Sequence, residues 1–224
     1  MNILIALTLA CMIRQGAVAS AQSPPAKPAA TIVFDTSEAP EMADFARKAQ
    51  VAADEWYPRI VEKLPSPNFV PADHISVVFK PDYKGVAATS GDRITCSVKW
   101  FTSHPDDVGA IVHELTHVVQ AYKKPGTPGW LIEGIADYIR WFNYEPISAR
   151  PHPKADKARY DASYRTTAAF LDWASRTYDK DLVAKLNAAA REGRYSENVW
   201  KEITGKTVQD LGHEWKESLA EKKQ

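Results

Sequence analysis

Read from its first regular pattern, Thr31-Ile32-Val33-Phe34-Asp35, the chain starts with a short β-rich run that predicts a strand. From Pro40 to Leu64 the apolar positions take helical spacing. Met42, Phe45, Ala49, Ala52 or Ala53, and Trp56 form a stripe, with a kink or stop expected at Pro58. Ile75 to Phe79 predicts a second strand. Val86 to Thr89 and Ile94 to Trp100 then flank Ser90-Gly91-Asp92-Arg93, a hairpin-turn signal. In the second arm Ile94, Cys96, Val98 and Trp100 alternate with Thr95, Ser97 and Lys99, which predicts one buried and one solvated face. Cys96 falls on the apolar face and reads as a small buried hydrophobe, not a reactive thiol.

Past Trp100 every apolar pattern is helical. Ser103 is the expected N-cap of the next helix, with Asp106 completing a variant capping box. That helix carries Ile111 to Val119 and stops before Pro125-Gly126. Thr127 and Pro128 open another, as N-cap and first helical residue, running through Trp130 to Arg140. Beyond a Pro-marked loop at Pro146 to Pro153, helical segments are predicted over Tyr160 to Arg176, Asp181 to Arg191, Ser196 to Ile203 and Thr207 to Ala220. Thr207 and Asp210 form another capping pair. The sum is an α+β pattern: a small N-terminal β-sheet with packed helices, followed by an all-helical C-terminal half.

The first residues stand apart. Ile3 to Ile13 is an apolar run too short to span a bilayer, followed by the small-x-small patterns Ala17-Val18-Ala19 and Ala19-Ser20-Ala21. Residues 1–21 are therefore expected to be a secretory signal peptide. A lipoprotein signal ending at Cys11 is the weaker alternative, because Thr8 replaces the large aliphatic residue expected three positions earlier. Residues 22–30 are Pro/Ala-rich and read as a linker, leaving 31–224 as one domain. Export implies a secreted or periplasmic protein. Cys96 is then the one remaining cysteine, so no intramolecular disulfide can form.

Charge narrows the partners. The 224 residues hold 28 Lys plus Arg against 28 Asp plus Glu, which gives no electrostatic case for nucleic acid or a membrane surface. A monomer without stable membrane association is expected.

The chemistry gathers at His113-Glu114-Leu115-Thr116-His117. Residues four apart on a helix share a face, so both imidazoles can reach one metal ion, while Glu114 sits beside them to take a proton from water. By chance alone the motif would arise in about one chain in a hundred of this composition, so it does not stand by itself. The next helix adds Glu133 and Asp137, again four apart, among Leu131, Ile132, Ile135 and Ile139. Two acids on an otherwise buried helix need partners. Catalytic zinc usually takes three protein ligands, and its histidines usually donate their other N–H to a carboxylate. Glu133 fits as third ligand and Asp137 as the acid that orients a histidine. His74, His104 and His152 lack a partner at ligand spacing. His213-Glu214 does too, since Glu217 stands where a second histidine would be needed.

Here the sequence resembles a known family. His-Glu-Leu-Thr-His-Val-Val-Gln from His113, and Gly129-Trp130-Leu131-Ile132-Glu133-Gly134-Ile135-Ala136-Asp137-Tyr138-Ile139-Arg140, are similar to the plant-type basic secretory proteins, a family of secreted zinc metallopeptidases. Gly85 to Gly91, Ala168 to Trp173, Leu186-Asn187 and Ile203 to Lys206 resemble it too. The likeness runs from about Thr31 to Trp215, and the chain departs from it in being neutral rather than basic. The Glu-x-x-x-Asp spacing resembles that of gluzincin peptidases. The resemblance implies a zincin-like fold, a Zn²⁺ cofactor and a peptide or protein substrate.

The expected activity is peptide hydrolysis with Glu114 as general base. The oxyanion needs a further donor, for which Tyr164 is the first choice and Tyr138 and Tyr160 are rivals. The strand Ile94 to Trp100 is a candidate edge for an extended substrate. Trp130 and Trp141 read as core before they read as a sugar-stacking platform. Two other classes fit the same residues: a secreted cell-wall or carbohydrate-binding protein with a non-catalytic metal site, and a zinc amidase acting on a non-protein amide.

Overall fold

In the computed structural model, which describes residues 30–221, Thr31–Asp35 forms strand β1. The expected signal peptide at 1–21, the alternative at Cys11 and the expected linker up to residue 29 lie outside the described residues. β1 pairs in parallel with β2 (His74–Lys80), and β2 in parallel with β4 (Arg93–Ser97). β3 (Ala87–Ser90) closes the sheet antiparallel to β4, giving the order β1-β2-β4-β3 among the described residues. Ser90 pairs with Arg93, so Gly91-Asp92 is a two-residue hairpin loop, and Gly91 takes the positive φ (62°) that such loops require.

The parallel β1–β2 pair needs a crossover, supplied by helix α1 (Ala43–Lys63). α1 passes straight through Pro58, where the sequence predicts a kink or stop. Tyr57 and Ile60 inside it and Leu64 just past its end are all buried, and that burial offsets the bond Pro58 cannot make. Phe45 of α1 packs against Phe79 of β2 and Phe101.

The strand predicted over Ile94 to Trp100 is too long. It ends at Ser97, whose side chain accepts from Trp100 N and caps a short helix α2 (Val98–Ser103). β4 is also an interior strand, so the free edge beside the cleft is β3 rather than the predicted arm. Ser103 is not an N-cap of the histidine helix: it closes α2, and its hydroxyl donates to Lys99 O. The histidine helix α3 (Gly109–Gln120) starts after a turn and has no side-chain cap. Cys96 is fully buried as expected, and burial pushes its thiol pKa up.

α4 (Gly129–Tyr138) starts one residue later than predicted, with Pro128 at the cap, and runs on as a π-helical turn over Ile139–Tyr144. α5 (Tyr164–Thr177) starts at the Ser163 cap, four residues after Tyr160. α6 (Leu182–Arg191), α7 (Asn198–Thr204) and α8 (Val208–Glu221) follow. Thr207 and Asp210 exchange capping hydrogen bonds before α8 as predicted. The architecture is the expected α+β. Among the described residues no helix is long and apolar enough to cross a membrane.

Candidate metal centre

α3 is apolar nearly all round because it packs against α1, α4 and β3. Ile111, Val112, Leu115, Val118 and Val119 are buried, while His113 and His117 share the one face that opens on a cavity of about 1100 Å³. Their rings lie 4.8 Å apart, edge to face, with the two Nε2 atoms 3.1 Å apart.

α4 delivers the acids because it sits very close to α5. A Cβ at Gly134 would fall 2.1 Å from Thr167 Cγ2, so only glycine permits this approach. The neighbouring Glu133 then points Oε2 at both histidines, 3.2 Å from His113 Nε2 and 3.5 Å from His117 Nε2. One turn on, buried Asp137 places Oδ1 2.8 Å from His113 Nδ1.

These contacts settle the tautomers. Asp137 can only accept, so His113 Nδ1 carries the hydrogen. His117 Nδ1 lies 2.7 Å from Gln120 Oε1, and Gln120 Nε2 donates to Ile132 O, which fixes the amide orientation and makes His117 Nδ1 the donor too. Each Nε2 is left facing Glu133, free to give its lone pair to a cation or, in the metal-free chain, to share a proton with the carboxylate. Among the described residues His113, His117 and Glu133 form a group with one donor atom each, all within 4.8 Å. Tetrahedral bonds of about 2.0–2.1 Å would set such donors roughly 3.3 Å apart, close to the separations seen. Two lone pairs this near a carboxylate call for a positive charge between them, so the residues fit a metal ion.

The electrostatics agree. Burial opposes a charged His113, yet hydrogen bonds to Asp137 and Glu133 raise its pKa to about 9. Burial likewise opposes a charged Glu133, and hydrogen bonds from His113 and His117 bring it down to about 2. Without a cation the site draws a proton into the same place.

Glu114 is buried beside the group and lines the same cavity. Its Oε2 accepts from Thr89 Oγ1 at 2.6 Å, a contact from edge strand β3. Tyr164 stands at the first turn of α5, half exposed, its ring 6.5 Å from that of His113. The Glu133 charge raises its pKa, with burial second. The rival tyrosines lie elsewhere: Tyr138 stacks on Phe142, and Tyr160 packs against Trp130 and Phe170. Trp130 also stacks on buried Trp200 and belongs to the core, whereas Trp141 lines the cavity. His104 stacks on Trp100 and is not part of the group.

Two contributors escape the sequence reading. Gln120 carried a usable signal: a polar residue three after His117, on the same helical face, ending an apolar run. Thr89 carried none, since its partner is twenty-five residues away.

The family model BSP, described as "Peptidase of plants and bacteria", matches residues 39–215. No curated protein and no solved structure matches the chain. The match spans most of the chain, including every residue of the His113, His117 and Glu133 group, and agrees with the resemblance read from the sequence: the chain belongs to this family of peptidases of plants and bacteria.

Proposed function

We propose that the chain is a secreted or periplasmic zinc metallopeptidase that hydrolyses peptide bonds in the cleft between β3 and α5. The observation that carries this is the donor set: His113, His117 and Glu133 converge while both Nδ1 atoms are already occupied, and Glu114 lies beside them. Three protein donors with a further side open to a cavity suit a catalytic rather than a structural site. When bound, zinc supplies Lewis acidity, which makes water a competent nucleophile near neutral pH and polarises the scissile carbonyl.

The chain's own residues supply the remainder. Asp137 and Gln120 hold the two imidazoles in one tautomer and orientation. Glu114 takes the proton from water and returns it to the leaving amine, with Thr89 fixing its rotamer. Tyr164 donates its phenolic hydrogen toward the developing oxyanion. β3, which pairs on one side with β4, offers its other edge to an extended peptide through backbone hydrogen bonds.

The test is metal analysis of purified protein with hydrolysis of a mixed peptide library, alongside Glu114→Gln. One zinc per chain in both proteins, with cleavage in the parent alone, supports the reading. Well-folded protein that takes up no zinc overturns it. Zinc bound without cleavage overturns the peptidase assignment.

A further inference from the structure

We infer that Arg165, laid against Trp141 at the rim of the metal cleft, recognises a carboxylate of the substrate within a residue or two of the scissile bond. This rests on the peptidase reading of the metal centre and adds the substrate class to it.

The charges lining the cleft are mostly matched. Glu133 and Asp137 face His113, and Glu114 accepts from Thr89. Arg140 is paired with Asp107, and Glu145 lies 3.5 Å from its Nε. Arg165 differs: among the described residues no carboxylate stands within salt-bridge distance of its guanidinium, 4.2 Å from the Trp141 ring centroid. Lys123 also lines the cavity, but no aromatic ring holds its amine.

The ring that holds Arg165 is itself held. Trp141 lies in the π-helical turn Ile139–Tyr144, a rare geometry that recurs at functional sites. The Arg140 guanidinium rests 4.4 Å from the same ring centroid. Trp141 Nε1 is buried without a hydrogen-bond partner, so stacking rather than hydrogen bonding fixes the ring. A guanidinium packed on an aromatic face keeps its in-plane N–H donors free, and that planar fork matches a carboxylate through two parallel bonds. Less side-chain entropy is lost on binding, because the cation is already placed.

Position sets the register. Arg165 directly follows Tyr164, whose ring faces His113. Arg165 and Trp141 line the same cavity as His113, His117 and Glu133, and an extended substrate crossing it advances roughly 3.3 Å per residue. A carboxylate engaged by Arg165 therefore lies close to the bond being cut. It can belong to an acidic side chain or to the substrate's C-terminus, and the chemistry recognised is the same.

The experiment uses zinc-loaded full-length protein and matched peptides. One pair differs by Glu against Gln beside the scissile bond, with both termini blocked. The other has neutral side chains and ends in a free carboxylate or an amide. The parent should favour the carboxylate member of at least one pair by on the order of tenfold in kcat/KM. In Arg165→Gln that ratio should fall to about one, and Arg165→Lys should retain part of it, because charge survives without the fork. The pair that responds identifies the carboxylate's source. A parent ratio near one in both pairs, or a ratio unchanged in Arg165→Gln, overturns the assignment. Equilibrium binding of the same peptides to Glu114→Gln reads recognition without turnover. A carboxylate preference there that disappears on adding Arg165→Gln supports the Arg165 role even if the parent cleaves nothing, whereas absent cleavage alone sinks only the peptidase reading.

Discussion

The Thr89 hydroxyl donates to Glu114 Oε2 across 2.6 Å, tying edge strand β3 to the helix that carries both histidines. Thr89 Oγ1 also lies 3.1 Å from the Glu114 backbone carbonyl oxygen, so the hydroxyl is placed over one turn of α3. Neither side chain belongs to the donor group, so under the proposed mechanism the contact separates orientation of the Glu114 carboxylate from metal binding. Thr89→Val should leave zinc stoichiometry unchanged and lower kcat by roughly tenfold, the scale of a lost hydrogen bond to a charged group. Thr89→Ser should restore most of the rate. Steady-state kinetics with metal analysis checks both, and loss of zinc in the Val variant would contradict the separation.

Zinc affinity should rank the surrounding residues. Glu133→Ala removes a donor. Asp137→Ala and Gln120→Ala each remove an acceptor that orients an imidazole, a loss that typically weakens affinity about 10- to 100-fold. Competition against a chelator should show the largest loss for Glu133→Ala. Equal retention in the Glu133 and Asp137 variants would remove Glu133 from the ligand set.

What the sequence disclosed followed from local periodicity. His113 and His117 share a face because they are four apart, and Glu133 and Asp137 stood out as acids on a buried helix. Val98 and Trp100 misled because alternation over so few residues also fits the first turn of a helix, and Ser97 is a competent N-cap. That β3 rather than β4 forms the edge depends on β4 pairing in parallel with β2, a long-range choice no local pattern carries. The sequence places Tyr164 ahead of Tyr138 and Tyr160 but singles none of them out. Only packing separates Tyr164, facing His113, from Tyr160 in the aromatic core.

Metal uptake should release a proton. In the metal-free chain burial disfavours the charged form of His113, but Asp137 and Glu133 raise its pKa to about 9, so it is protonated at neutral pH. Zinc needs the neutral ring. At pH 7 binding should therefore displace about one proton from His113, and affinity should climb with pH until roughly 9. Calorimetry in buffers of different ionisation heat counts the proton. A count of zero would exclude this protonation state.

The same shifts set the stability of the metal-free protein. The raised His113 pKa contributes stability that is complete below its ordinary 6.5 and is lost as pH rises through about 9. The lowered Glu133 pKa contributes stability present above 4.5 and lost as pH falls through about 2. Chelator-treated protein should thus have a lower Tm above pH 9 than at pH 6. Thermal melts across that range test the sign, and Asp137→Asn should flatten the dependence.

Gly134 is where fold and site meet most tightly. In an ordinary helix Gly→Ala adds about 1 kcal/mol of stability through propensity. Here the new Cβ would lie 2.1 Å from Thr167 Cγ2 and 2.8 Å from its Cβ. Thr167 is fully buried and its hydroxyl donates to Tyr160 O at 2.6 Å, so it cannot turn aside. Overpacking of this kind costs about 1–3 kcal/mol, and with backbone-proximal atoms the upper part of that range should outweigh the propensity gain. Gly134→Ala is therefore expected to lower stability in urea unfolding and, by displacing the adjacent Glu133, to weaken zinc binding. Adding Thr167→Ala removes the Cγ2 clash and should recover part of both losses. A Gly134→Ala protein more stable than the parent would mean that α4 and α5 are not in this close contact.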